Sequence, residues 1–371
     1  SAASDVYKRQ NRTNELGLGD RFIKILEAAH LQTGRRAVVL VDEYDKPILD
    51  VLDVDADLEN KHRNILKAFY SVFKGADKHL QFVLLTGVTK FSQVSVFSGF
   101  NQPKDISMDA RYEALCGITQ EEIEEYFTEP VSQMAVEYQC TPQEMYKLLK
   151  QQYDGYHFSK RMTDIYNPFS LLNALDAKRI KDYWFSTGTP TYLIRLLNHS
   201  HERMNEFTGK YYTPAEFIDY KADVERPLPM IYQSGYLTIK SYDKEFGLYR
   251  LGFPNREVEE GFAKFLIPFY TRFSKIEAPF EIQKFVQEIR RGQPEAFLKR
   301  LQGFFADTPY ELVSDLELHY QNVLFIIFKL VGFYTQAEYH TSEGRIDLVV
   351  KAPDYVYVCL LYTSDAADDM Q

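Results

Sequence analysis

The chain has 371 residues, 45% of them hydrophobic and 15% aromatic, with a net charge of −10 and three cysteines. That length predicts two or three domains with real hydrophobic cores, and the acidic balance argues against a general nucleic-acid coat while leaving room for a local basic groove. The longest apolar run, VLFIIF at 323–328, is too short to span a bilayer, and Cys116 and Cys140 fit neither a disulfide framework nor a cysteine zinc motif, as in a reducing cytoplasm.

The two ends stand apart from the rest. SAASDVYKRQ at the start and CLLYTSDAAD from Cys359 are encodable by one short DNA word in opposite orientations, one nucleotide out of frame. Such a word resembles a transposase-based sequencing adaptor. Residues 1–10 and 359–371 are therefore expected to be adaptor translation, with a native segment from about Asn11 to Val358 that is cut at both ends.

In chain order, RFIKILEAAHLQTG (21–34) has helical spacing with Gly34 as its stop, and the strand AVVLVD follows. KHRNILKAFYSVFKGADKHL (61–80) is a second amphipathic helix leading into the strand QFVLLTG (81–87). Helix, strand, helix, strand is the rhythm of a parallel sheet with crossovers. TQEEIEEYFTEPV (119–131) opens with a capping box, Thr119 with Glu122, and the chain then reads mostly helical to about 200. Within that stretch His157 of YDGYHF, set among aromatics, reads as a packed, hydrogen-bonded histidine rather than a catalytic base, and DYWF (182–185) as core. Residues 228–262 switch to a hairpin around DKEFG and then a helix from about Asn255. Residues 280–303 and 311–332 read as helices, and AEYHTSEGRIDLVVKAPDYVYV (337–358) as two or three strands.

The chemistry concentrates in VVLVDEYDKP (38–47). An apolar run without a polar break predicts a strand buried on both faces, and Asp42 and Glu43 sit at its carboxyl end, where open α/β sheets bind ligands. An apolar strand ending in Asp-Glu is the Walker B pattern: the aspartate holds Mg²⁺ and the next acid polarises the attacking water. Taken alone, the same residues describe equally well a buried strand ending in an exposed acidic turn. Thr86 ends the next strand, with a short hydroxyl where a sensor of the γ-phosphate would stand.

VVLVDEYDKP, LLTGVTKFSQVSVFSGFNQPKDISMDARYEALCGIT, YDGYHF, YNPFSLLNAL, YWFSTGTPTYL, YQSGYLTI and LGFPNREVEEGF together resemble, in order, the bacterial AAA-ATPase-like proteins that carry a C-terminal PD-(D/E)XK nuclease-like domain. The resemblance implies an α/β fold: a P-loop-type parallel-sheet ATPase core over 11–130, a helical and winged-helix-like region over 131–274, and the first part of a nuclease-like domain over 275–358. It makes Asp42 the Mg²⁺-binding acid, Glu43 the catalytic acid and Thr86 the sensor position. Arg111, in DARY, matches a phosphate-sensing charge, although a surface ion pair accounts for it as well. Asp347 in EGRIDLVV matches the first metal-binding acid of the nuclease hairpin, a catalytic and metal position, with Glu317 and Glu338 as lesser candidates. The implied cofactors are ATP with Mg²⁺, and a divalent metal at the nuclease-like site. The implied partners are a nucleotide and DNA or RNA, with no membrane and with oligomerisation left open. Two departures matter. No G-x-x-x-x-G-K-[ST] phosphate loop occurs anywhere in the chain, and Glu-x-Lys does not follow VYV (356–358). The rival expectation is a non-catalytic interaction protein in which both folds are degenerate.

Overall fold

A computed structural model describes residues 17–51, 55–88, 103–186, 207–208, 210–218, 227–270, 278–306, 316–332, 336–342 and 345–362. The words at 89–102 and 187–193, and residues 1–16 and 363–371, lie outside the described residues.

The first helix, α1 (Leu18–Thr33), turns Leu26 into the core and stops at Gly34, whose left-handed φ of 65° lets its N–H donate to the His30 carbonyl. Strand β1 (Ala37–Val41) follows, then one turn of helix α2 (Lys46–Leu49) and the crossover helix α3 (Ala56–Tyr70). That helix begins earlier than its apolar spacing suggests, because the Asp55 side chain accepts from Leu58 N and caps it there. It breaks at Ser71 into the short α4 (Val72–Gly75) and a 3₁₀ turn (Asp77–His79), which delivers strand β2 (Leu80–Leu85). The two strands pair in parallel, with Val41 opposite Leu85, so the expected strand–helix–strand unit is present.

One expectation fails here. Strand β1 is not buried on both faces: Val39 and Val41 pack against the core, but Val38 is 57% and Leu40 69% exposed. Phe82, opposite Val38 in the register, is also exposed. Among the described residues the sheet has two strands, and one of its faces has no covering layer. An unbroken apolar run fits burial on one face as readily as on two, so only packing decides.

A helical block follows, with α5 (Gln120–Tyr126), α6 (Thr128–Glu137), α7 (Pro142–Tyr153), α8 (Pro168–Ala177) and α9 (Tyr183–Ser186). Thr119 with Glu122, and Thr141 with Glu144, form reciprocal capping boxes that start α5 and α7. Ile123, Val131, Met134, Met145, Leu149 and Leu171 build a separate hydrophobic cluster between these helices.

Strand β3 (Tyr211–Tyr212), helices α10 (Pro214–Ile218) and α11 (Leu228–Gln233), and the hairpin β4 (Thr238–Asp243) and β5 (Leu248–Gly252) come next. The antiparallel sheet order is β3-β5-β4. The hairpin lies where the two β-rich runs around DKEFG predict it. Asn255 then caps α12 (Arg256–Tyr270) by accepting from Val258 N. Helices α13 (Ala278–Arg290) and α14 (Pro294–Ala306) are divided at Gly292, with a φ of 69° where one helix was expected. Helix α15 (Leu316–Gly332) leads to an antiparallel meander of β6 (Gln336–Ser342), β7 (Arg345–Lys351) and β8 (Val356–Tyr362). Strand β8 runs past the expected boundary at Val358: Cys359 pairs with Leu348 and Leu361 with Ile346, since CLLY continues the apolar strand pattern. One hydrophobic cluster extends from Leu26 through Tyr236, Phe262, Phe285 and Phe328 to Val350, crossing all three regions expected from sequence.

Candidate functional site

The turn after β1 and the turn after β2 are tied together by backbone first. Thr86 N donates to the Val41 carbonyl at 2.8 Å, and Tyr44 N donates to the Thr86 carbonyl at 3.0 Å. This ladder brings Thr86 beside Asp42, and the Thr86 hydroxyl donates to Asp42 Oδ1 at 2.6 Å. The Glu43 amide donates to the same oxygen at 3.0 Å. Glu43 itself holds a left-handed φ of 52°, a conformation that bends the chain sharply away from the strand direction. Asp42 and Glu43 are both exposed. The edge thus offers two carboxylates and one hydroxyl, the hard oxygen donors that suit Mg²⁺.

Beneath this edge lies a residue that reading the sequence passed over. Asp45, fully buried, accepts from Val88 N at 3.2 Å and so clamps the turn after β2 from below. A Cβ on Gly87 would come within 2.5 Å of its Oδ1, so only glycine lets the two turns close. Tyr70 at the end of α3 lies near it as well: burial, with the Asp45 charge second, raises the tyrosine pKa. An acid four residues past a strand, among the polar letters of DEYDKP, carries no periodic signal of burial.

Arg111 is paired within its own turn. Its guanidinium donates to both oxygens of Asp109, Nε at 3.0 Å and an Nη at 2.6 Å, and it packs over the Tyr112 ring. Hydrogen bonds from Arg111 hold the Asp109 carboxyl well below the usual carboxylate range. None of the bonds described for Arg111 reaches Asp42 or Thr86, so the surface ion pair is what the geometry displays.

Asp347 lies in the middle of the central strand β7, opposite His340 on β6 and Leu360 on β8. Glu338 pairs with Val349 in the register, and Glu317 belongs to the first turn of α15. Among the described residues no group of three His, Cys, Asp or Glu side chains converges as a metal site. Of the two strands beside Asp347, β6 carries Glu338, and β8 reads VYVCLLY, whose residues from Cys359 on belong to the expected adaptor segment.

A second polar constellation occupies the middle of the molecule, where YDGYHF meets the hairpin. His157 Nδ1 donates to the Ile239 carbonyl and Nε2 donates to Asp164, each at 2.7 Å. Both ring nitrogens are engaged, one by a main-chain carbonyl and one by a carboxylate, so this is a packed structural histidine and not a base free to take a substrate proton. Lys150 bridges Asp154 and Asp164 at 2.8 and 2.7 Å. Burial works to raise the Asp164 pKa, but hydrogen bonds from Lys150 and His157 outweigh it and lower it. Lys240 donates to the Gly155 and Pro254 carbonyls, and burial lowers its pKa. Glu257, wholly buried, accepts from Trp184 N at 2.7 Å through Oε1. Burial pushes its carboxyl up to about 7.

Comparison with known proteins finds two family models, one near each end of the chain. Residues 1–97 match the family model of a predicted AAA-ATPase, and residues 315–363 match one of the PD-(D/E)XK nuclease superfamily. A protein of Azotobacter chroococcum mcd 1, named as an uncharacterized protein in the vnfD 5′ region, is 32% identical over 362 residues. The alignment covers 95% of this chain and 65% of that relative, so the chain spans less than two thirds of the relative's length. No solved structure matches. The chain therefore carries a predicted AAA-ATPase-like region and a nuclease-like region. Among the described residues, no helix is long and apolar enough to cross a membrane.

Proposed function

We propose that the edge formed by Asp42, Glu43 and Thr86 is the cation and γ-phosphate end of an ATP site in an AAA-like switch protein of the cytoplasm. The observation that supports this most is the 2.6 Å bond from the Thr86 hydroxyl to Asp42 across a parallel strand pair, at the carboxyl edge of the sheet. Asp42 and Thr86 would hold Mg²⁺, which when bound neutralises charge on the phosphates. Glu43 would orient the attacking water. Asp45 and Gly87 lock the two turns so that Asp42 and Thr86 keep their distance.

The chain contains no G-x-x-x-x-G-K-[ST]. Without that cradle several charge-assisted bonds to phosphate are missing, each worth roughly 1.5–3 kcal/mol. The chain as it stands is expected to bind MgATP too weakly for calorimetry and to show neither ATP turnover nor plasmid nicking. A homologue of the relative's full length is expected to bind MgATP, to lose it when the counterpart of Asp42 becomes Ala, and to bind without turnover when the counterpart of Glu43 becomes Gln. Equal MgATP binding with and without that aspartate would overturn the reading.

In the longer protein the nucleotide state would gate the nuclease-like region, and the core cluster running from Leu26 to Val350 offers a packed connection between the two. The alternative is a nuclease-like sheet that serves as an interaction scaffold, which absence of Glu-x-Lys after the counterpart of VYV in a full-length homologue would favour. Metal-dependent nicking by the full-length homologue, lost on replacing the counterpart of Asp347, separates the two.

A further inference from the structure

At the opposite end of β2 from Thr86, two histidines from distant parts of the chain meet. His30 lies in the last turn of α1 and His79 in the 3₁₀ turn just before β2, and their Nδ1 atoms are 3.0 Å apart. The rings stand nearly perpendicular, at 79°, with centroids 5.3 Å apart. Glu27, one helical turn before His30, places Oε1 3.6 Å from the other nitrogen of His79, Nε2. That Nε2 is buried and has no hydrogen-bond partner.

The chemistry of the three groups sets the tautomers. A carboxylate facing Nε2 favours the hydrogen of His79 on that nitrogen, which leaves Nδ1 with a lone pair directed at His30. His30 must then donate its own Nδ1 hydrogen. The arrangement resembles part of a zinc centre: two imidazole nitrogens meet, and a carboxylate stands near the other nitrogen of one ring, within a small movement of a hydrogen bond. Two imidazole nitrogens on one zinc, each about 2.0–2.1 Å from it, stand about 3.3 Å apart at a tetrahedral angle. On that geometry the pair opens by about 0.3 Å, and both rings turn from their head-to-head contact toward a shared point beside it.

We propose that His30 and His79 bind a borderline-soft divalent metal, zinc by preference, through their Nδ1 atoms, with Glu27 orienting His79 and water completing the coordination. Binding requires a lone pair on both Nδ1 atoms, so the hydrogen shared between them leaves Nδ1 of His30. The bound ion staples the end of α1 to the start of β2. The unpatterned cysteines gave no zinc motif; this site uses histidines 49 residues apart that only folding brings together.

The test is titration of the full chain with Zn²⁺, and with Co²⁺ as a spectroscopic probe. Saturable binding near one equivalent and a rise in Tm are expected. His30→Gln and His79→Gln should each abolish both effects, Glu27→Gln should weaken binding about 10- to 100-fold, and His62→Gln should leave it unchanged. Nitrogen-detected histidine NMR of the wild-type chain reads the site without mutation: zinc should shift two Nδ1 resonances together. The proposal is overturned by the absence of binding at submillimolar metal, by binding that survives in both His30→Gln and His79→Gln, or by shifts confined to other histidines.

Discussion

The Asp42 edge and the polar hub around His157 are both built from acidic, turn-rich words, yet folding treats them in opposite ways. At the edge the acids are exposed and are positioned by backbone bonds between two strand ends, with one buried acid, Asp45, below. In the hub Asp154, His157 and Glu257 are buried, and the more exposed Lys150 and Asp164 close over them, His157 against Asp164, Lys150 between two aspartates, Glu257 against the Trp184 amide. Charge alone therefore does not mark a site. An exposed pair at a sheet edge remains able to meet a ligand, whereas the hub's charges spend most of their bonding on one another and on nearby main chain.

The contrast can be broken most severely at Gly155, in the hub. Its φ is +98°, and a Cβ there would lie 2.5 Å from the Pro254 carbonyl oxygen. Gly155→Ala is expected to cost at least about 3 kcal/mol in urea unfolding, combining backbone strain with a clash against rigid main chain. Gly247, in the hairpin turn, has a φ of +68° but open space around its missing Cβ. Gly247→Ala isolates the backbone term at about 1 kcal/mol. Equal losses at the two positions would mean that the hub yields around the intruding methyl.

Next in size is a pH effect at Glu257. Its folded pKa, about 7, lies above the ordinary value of 4.5 because burial penalises the carboxylate. A raised folded pKa contributes stability that is fully present below the unfolded value and is lost as pH rises through the folded one. Wild-type stability should therefore fall by up to about 3 kcal/mol between pH 4.5 and 7, relative to Glu257→Gln. The neutral variant should be the more stable at pH 8, with the difference gone below pH 4.5. A pH-independent difference in urea midpoints would show that the carboxyl is not the source.

At the edge the expected stability effects are small. Asp42→Asn and Thr86→Val should each change unfolding free energy by about 0.5–1 kcal/mol or less, as for exposed groups whose hydrogen bonds compete with water. A loss several times larger would make the pair part of the fold rather than a site. Smallest of all is Arg111→Ala, on an exposed turn, which should leave Tm unchanged. Its signature is instead the Asp109 carboxyl: followed by NMR, its pKa should rise toward the usual range once the guanidinium hydrogen bonds are gone.

How much of this was legible in the sequence differs by element. Caps and periodicities act over three or four residues, so the capping boxes at Thr119 and Thr141, the stop at Gly34 and the DKEFG hairpin follow from local chemistry. Asp42 and Thr86 were legible as strand ends, and their contact follows from parallel pairing in register. The breaks at Ser71 and Gly292 were not, because an interrupted helix and a continuous one share the same apolar spacing.

By itself the sequence determined which segments are helix or strand, where the acids of the β1 edge stand, and which words the chain shares with ATPase-like and nuclease-like proteins. Only the tertiary structure decided that Val38 and Leu40 on one face of β1 are exposed, that Asp45 is buried under Gly87, which partners His157 bonds, and that His30 meets His79. The reason is range. Propensity, capping and turn preference are set by neighbours along the chain, whereas burial and side-chain pairing depend on residues tens of positions away, whose approach no local pattern encodes.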